Sequence, residues 1–146
     1  MSGSNASRAR LRPFRIEDAA DVCRIYPMFF VDNAVHIQGG RLTVAVVGAR
    51  VIGVVLWSPA LEPAWFDPGV TRWAELHELH VHPHFQNRGI GTRLVRAALR
   101  QVLTAGYEAM YLTTEDINVA ARRVYEKSGF QPQSHVIRYK ISLGRR

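Results

Sequence analysis

The stretch from Glu75 to Gly106, "ELHELHVHPHFQNRGIGTRLVRAALRQVLTAG", constrains the fold more than any other part of the chain. Residues 74–82 read as a strand closed by Pro83, because proline has no N–H to give a ladder. Beyond the turn, Arg93, Arg96, Arg100 and Thr104 fall on one stripe, with Leu94, Val95, Ala98, Leu99 and Val102 on the other side. That spacing predicts an amphipathic helix, stopped by Gly106. "EAMYLTT" (108–114) reads as the next strand, so the segment forms a right-handed crossover between two parallel strands.

The flanking sequence supplies partners for that unit. "ARLRPF" (9–14) reads as a short strand, and "RIEDAADVCRIYPMFF" as a helix with Glu17 and Asp18 in its first turn. Its apolar face is Ala20, Val22, Cys23 and Ile25, and it breaks near Pro27. Two β-branched runs, 42–47 and 51–57, are separated by "GAR", a hairpin signature apolar enough for both faces to be covered. "INVAARRVYEKS" reads as a helix ended by Gly129, and "QSHVIRYKISL" as a final strand. The order predicts an α/β (α+β) domain with a mixed sheet. Residues 58–73, with three prolines and two tryptophans, read as an irregular loop. Trp65, Phe66 and Trp73 there form either a lid on the core or a wall of a substrate pocket.

Length and charge bound the function. The chain has 146 residues, the size of one ordinary domain, expected over 10–146 behind a polar, disordered lead-in (1–9). "SNA" in that lead-in matches a cloning remnant, which leaves the origin of residues 1–7 open. Net charge is +7, and residues 74–146 hold +5 of it, eleven basic minus six acidic. This excess favours an anionic partner such as a phosphate-bearing cofactor. The basic residues are scattered without a run of five, which argues against a nucleic-acid partner. No apolar run is long enough for a membrane helix, and a cytoplasmic location without membrane attachment is expected. The single cysteine, Cys23, reads as a buried thiol with no local motif to activate it.

Gln86-Asn87-Arg88-Gly89-Ile90-Gly91 lies between a strand and a helix, where a helix N-terminus exposes unpaired N–H groups and its positive dipole end. Glycines let the backbone close round a phosphate, and Arg88 adds charge. The turn is therefore an anion cradle or a plain connection with a glycine N-cap. It is not a Walker loop, since no Gly-Lys-Ser/Thr follows, and it lacks the third glycine of the dinucleotide fingerprint.

Q-x-x-G-x-G after "L-x-V-x-P" resembles the acyl-CoA signature of the GNAT superfamily of N-acyltransferases. "Asn118-Val-Ala-Ala-Arg-Arg-Val-Tyr125-Glu-Lys-Ser-Gly-Phe130" is similar to that family's "N-x-x-A-x-x-x-Y-x-x-x-G-F" helix. The close match covers residues 74–131. The resemblance implies a mixed, mostly antiparallel sheet flanked by about four helices and splayed at strand 74–82, with acetyl-CoA wedged in the gap. It further implies that the backbone of Leu79, His80 and Val81 pairs with the pantetheine arm. Asn87, Arg88, Gly89, Ile90, Gly91 and Thr92 would receive the pyrophosphate, with Gln86 opening the signature. Asn118 would bond the pantetheine arm and the Tyr125 hydroxyl would approach the sulfur; seven residues apart, they share a helix face.

Strict alternation puts Glu75, His77, Leu79 and Val81 on one face and Leu76, Glu78, His80 and His82 on the other, mixing core with polar positions on both. A bulge near 77–79 would reconcile the pattern, and the resemblance independently implies a bulge in this strand. Glu75 and His77 match positions where family members place a general base or a water relay, and "LHELHVH" looks like the arylalkylamine-acetylating members. The expected chemistry is direct acetyl transfer from acetyl-CoA to a primary amine in a ternary complex, with Glu75 and His77 as bases, Glu78 as a lesser candidate, and Tyr125 as acid. A small-molecule acceptor leads; a protein N-terminus or lysine is the alternative. A second alternative is a non-catalytic acyl-CoA-binding regulatory module, and the family makes a homodimer possible. Zinc on His80, His82 and His84 competes, but Pro83 breaks the strand inside that set, so no metal is expected.

Overall fold

The computed structural model describes residues 8–61, 69–133 and 139–144. β1 (Arg10–Pro13) lies antiparallel to β2 (Arg41–Val47), which turns through Gly48, in the left-handed region at φ 60°, into antiparallel β3 (Arg50–Pro59). β3 pairs antiparallel with β4 (Trp73–Val81), and β4 pairs parallel with β5 (Ala109–Tyr111). The sheet therefore runs β1-β2-β3-β4-β5, mixed and mostly antiparallel as expected.

Between β1 and β2 the chain makes a 3-10 turn (Ile16–Asp18) and three helices: α1 (Ala19–Ile25), α2 (Phe29–Asp32) and α3 (Ala34–Gly39). The first turn is fixed by Asp18, whose carboxylate takes two bonds from the Arg12 guanidinium (2.7 and 2.8 Å) and one from the Arg15 amide (2.8 Å). α1 ends just before Pro27; α2 and α3 carry no strong sequence signal and are an addition to the expected elements. α4 (Ile90–Thr104) crosses between β4 and β5, and α5 (Val119–Lys127) follows. Among the described residues there are thus five α-helices rather than about four.

β2 and β3 are apolar on both faces because both are covered. Ala45, Val55, Trp57, Ala74 and Leu76 pack against Ile90, Leu94, Val95, Ala98 and Val102 of α4. Val44, Val54 and Leu56 pack on the other face with Val22 of α1 and Phe29 of α2. α4 buries the predicted stripe and leaves Arg93, Arg96 and Arg100 exposed.

Several boundaries move. The expected loop 58–73 loses its ends to strands: Ser58 and Pro59 belong to β3, and Trp73 opens β4, buried with its indole N–H donated to the Val70 carbonyl. Trp65 and Phe66 lie outside the described residues. β5 covers Ala109–Tyr111, shorter than the expected 108–114. The expected final strand falls partly outside the described residues, and residues 139–144 carry no strand. Cys23 is half-buried rather than buried. No helix among the described residues is long and apolar enough to cross a membrane.

Candidate active site

The β3–β4 register shifts by one residue: Leu56 faces Glu78, yet Trp57 faces Leu76, leaving His77 as the extra residue of a bulge. One inserted residue inverts the alternation beyond it. Leu76, Leu79 and Val81 consequently all join the core beneath α4, while Glu75, His77, Glu78 and His80 collect on the side of α1–α3. Without the bulge, Glu75 and His77 would be separated from Glu78 and His80 by the sheet.

These four side chains are held by residues distant in sequence. His77 Nε2 lies 2.6 Å from Ser58 Oγ, and its Nδ1 lies 3.6 Å from Glu75, beyond hydrogen-bond length. The Ser58 hydroxyl also reaches the Pro59 carbonyl at 3.1 Å, so which of Nε2 and the hydroxyl donates follows the His77 tautomer. His36 of α3 stacks on the His77 ring with centroids 3.7 Å apart, and its own buried Nδ1 has no hydrogen-bond partner among the described residues. Burial pushes the His77 imidazole below its ordinary pKa; Glu75 opposes this and His36 adds to it. Glu75 in turn accepts a 2.9 Å bond from the Tyr111 hydroxyl of β5.

Glu78 accepts from the Asn33 amide (3.1 Å) and lies 2.5 Å from His80 Nε2. Burial alone would raise its carboxyl; the bonds to His80 and Asn33 outweigh it and hold Glu78 below the usual carboxylate range. Asn33 is itself anchored to the Phe29 carbonyl (2.8 Å), and the His80 ring stacks on Tyr26 at 4.8 Å.

The donor side begins where β5 leaves β4. β4 pairs with β5 only through Trp73, Ala74 and Glu75, so among the described residues the edge at Leu79, His80 and Val81 is open on that side. This is the expected splay. The Gln86 side chain donates to the Val81 carbonyl (3.0 Å), tying the turn to the end of that edge. Asn87 (φ 62°) and Gly89 (φ 80°) are both left-handed, which turns the chain sharply into α4 with Gly89 as N-cap. Asn87, Arg88 and Gly89 are exposed, Gly91 and Thr92 half-buried. Ile90 is fully buried, so its side chain belongs to the core and only its backbone faces the turn. These backbone N–H groups precede the first intrahelical bond, from Arg93 to the Gly89 carbonyl (3.1 Å), and fit an anionic group. Replacing Gly89 by Ala meets open space but keeps a positive φ, which costs about 1–2 kcal/mol. We expect a KM for acetyl-CoA raised about tenfold at little-changed kcat, read by steady-state titration of the donor.

The second motif explains itself as a helix with built ends. Asn118 Oδ1 caps α5 by accepting from the Ala121 amide (3.2 Å), which leaves its Nδ2 to donate elsewhere. At the other end Gly129 takes φ 103°, and the Phe130 amide donates to the Tyr125 carbonyl (3.0 Å). This Schellman turn sets Phe130 against the Tyr125 ring, centroids 5.9 Å apart. Burial, with the Glu78 carboxylate adding to it, pushes the Tyr125 hydroxyl up to about 12. The motifs also converge: a Cβ on Gly91 would sit 3.8 Å from Val124 and 3.9 Å from Leu79.

Sequence reasoning reached Glu75, His77, Glu78 and Tyr125, but missed Asn33, His36, Ser58 and Tyr111. No local pattern marks these four, because each acquires its role only when its strand or helix meets β4. His82 and His84 stand apart: His82 Nδ1 accepts from the His84 amide (3.1 Å), capping the 3-10 turn Pro83–Phe85. Among the described residues no three His, Cys, Asp or Glu side chains are grouped to hold a metal.

The gap in the mixed sheet thus sets an open strand edge beside the unpaired backbone N–H groups of a helix N-terminus, which suit an anion. The profile of the acetyltransferase (GNAT) family matches residues 9–130, and the chain belongs to that family. N-acetyltransferase family 8 member 2 of Rattus norvegicus is 31% identical over 107 residues, 73% of this chain but 44% of that protein. An uncharacterized N-acetyltransferase of Bacillus subtilis, YhfO, is 24% identical over 91% of this chain and 97% of its own length. Among solved structures, an aminoglycoside N-acetyltransferase in complex with CoA shares the fold with a TM-score of 0.76 at 19% identity, over 92% of this chain and 95% of that one. The chain spans less than half the length of the rat relative and carries a domain of the acetyltransferase (GNAT) family.

Proposed function

We propose that the protein transfers the acetyl group of acetyl-CoA directly to a primary amine of a small molecule, both substrates being bound at once. The bulge at His77 carries this reading, because it alone gathers the proton-accepting groups on one face beside the open edge. The backbone of Leu79, His80 and Val81 binds the donor's amide arm, and Gln86 through Thr92 with Asn118 hold its phosphates and pantetheine. From Val81 to His77 the strand runs about 13 Å, room for an extended arm whose acyl end lies by the bulge.

The reaction forms one N–C bond and breaks one C–S bond, and the nitrogen loses two protons. Glu75 and His77 take the first from the bound ammonium and pass it to solvent. Tyr125 gives its proton to the departing sulfur and regains one from the acylated nitrogen. His77 is only 6% exposed and already engaged by Ser58, so it works as a relay behind Glu75. No enzyme nucleophile is needed.

A protein acceptor is the second reading, supported by N-alpha-acetyltransferase 30 of Xenopus laevis, 24% identical over 84% of this chain and 43% of that protein. Steady-state release of free thiol from acetyl-CoA, measured over a panel of small amines and N-terminal and lysine peptides, separates the two. Turnover confined to peptides would overturn the small-molecule reading.

A further inference from the structure

We propose that His36 is a positioning residue for the reaction: its ring, stacked flat on His77, keeps the His77 imidazole able to accept a proton in mildly acidic solution. This rests on the reading above, in which His77 relays the proton of the amine, and adds the group that keeps the relay open. The two rings come from opposite walls, His36 from α3 and His77 from the bulge of β4, with centroids 3.7 Å apart and planes 15° apart. α3 is seated for this contact. The Asn33 cap and His36, three residues apart and so on one face of the turn, both meet the polar side of β4, where Asn33 donates to Glu78 and His36 covers His77. At the other end Gly40 lets α3 close on β3: a Cβ there would lie 2.5 Å from the His36 carbonyl oxygen and 2.7 Å from that of Trp57, so a side chain would force α3 off the strand.

Two imidazolium rings at this distance repel each other, so a second proton enters the pair less readily than the first. The His77 side chain is 6% exposed whereas His36 is half-buried, and water solvates a positive charge better on His36. On acidification the pair therefore takes its first proton on His36, and that charge disfavours a second on His77. Burial of His77 acts in the same direction. Against both stand Glu75 and Glu78 of its own strand, which favour the protonated ring. The other described groups at this wall are the uncharged Ser58 of β3 on His77 itself, Tyr111 of β5 on Glu75, and Asn33 and His80 on Glu78. Two carboxylates thus draw a proton onto His77, and the charge on His36 opposes them. Without that opposition His77 fills at a higher pH, and a filled imidazole has no lone pair to receive the proton that Glu75 takes from the ammonium.

NMR titration of the imidazole resonances of the free protein tests this, with the His77 signals identified by their loss in His77→Gln. His36→Phe keeps a flat ring over His77 and so keeps it buried, His36→Gln keeps polarity without the ring, and both remove the charge. In both variants the His77 midpoint should rise by about one pH unit. The acid limb of kcat/KM for thiol release should move up with it, so that activity at about pH 6 falls roughly tenfold relative to activity at about pH 8.5. A packing role alone would be rescued by phenylalanine, with the midpoint unmoved. The unmodified protein supplies an arm that needs no variant: the His77 curve should bend where His36 takes up its proton, and a single independent step overturns the inference. A His77 midpoint that stays or falls in either variant, or one that rises while the acid limb stays, also overturns it, and leaves small-molecule acetyl transfer in place. No turnover of any small amine by the unmodified protein removes both.

Discussion

Tyr125→Phe should lower kcat about 100-fold or more while leaving the KM for acetyl-CoA within about twofold. The ring is what the fold needs: it is half-buried against Phe130 at the end of α5, and phenylalanine keeps that contact. The hydroxyl is what the proposed reaction needs. Held up to about 12 by burial and by Glu78, it stays protonated through the neutral and mildly alkaline range and has a proton to give wherever the enzyme works. Its loss therefore should not reshape the pH profile below about pH 11, only lower it. A donor KM that rises in step with the fall in kcat would assign Tyr125 to binding, and an unchanged kcat would remove it from the mechanism.

The second large effect is His77→Ala, with His77→Gln as a variant that keeps volume and hydrogen bonding. Both should lower kcat/KM at pH 7 by about 100-fold. Burial favours the neutral ring, so the proton-accepting form is populated down to a pH below the ordinary imidazole value of about 6.5. The wild-type acid limb should fall below that value and be absent from both variants. Above the pKa of the amine the substrate arrives without its extra proton, and the variants should recover most of the lost rate. A uniform loss at every pH would mean that His77 only props Ser58 and Glu75.

Much of the fold could be read along the chain. The crossover, the hairpin and both motif helices are local patterns, each contiguous in sequence, and each appears where its residues put it. The glycine turn is legible for the same reason: Gly89 adopts a backbone angle that its neighbours can be seen to require. α2 and α3 are not legible, being single-turn or barely longer helices whose stability comes from Phe29 packing under the sheet rather than from their own sequence. β5 and residues 139–144 differ from expectation because strand length depends on a neighbour to pair with.

Within the site the division is sharper. Glu75, His77 and Tyr125 stood out through the family resemblance, with Glu78 a lesser candidate beside them, and a bulge would reconcile the mixed alternation in residues 75–82. Where that bulge falls is a matter of register against β3, fixed when Leu56 pairs with Glu78 and Trp57 with Leu76, residues about twenty positions apart in sequence. The strand's own sequence thus determined that polar groups and a core face must be reconciled. Tertiary structure decided that His77 is the extra residue, that Ser58 and His36 enclose it, and that Asn33 aims Glu78, because only long-range pairing sets which way a strand's side chains face.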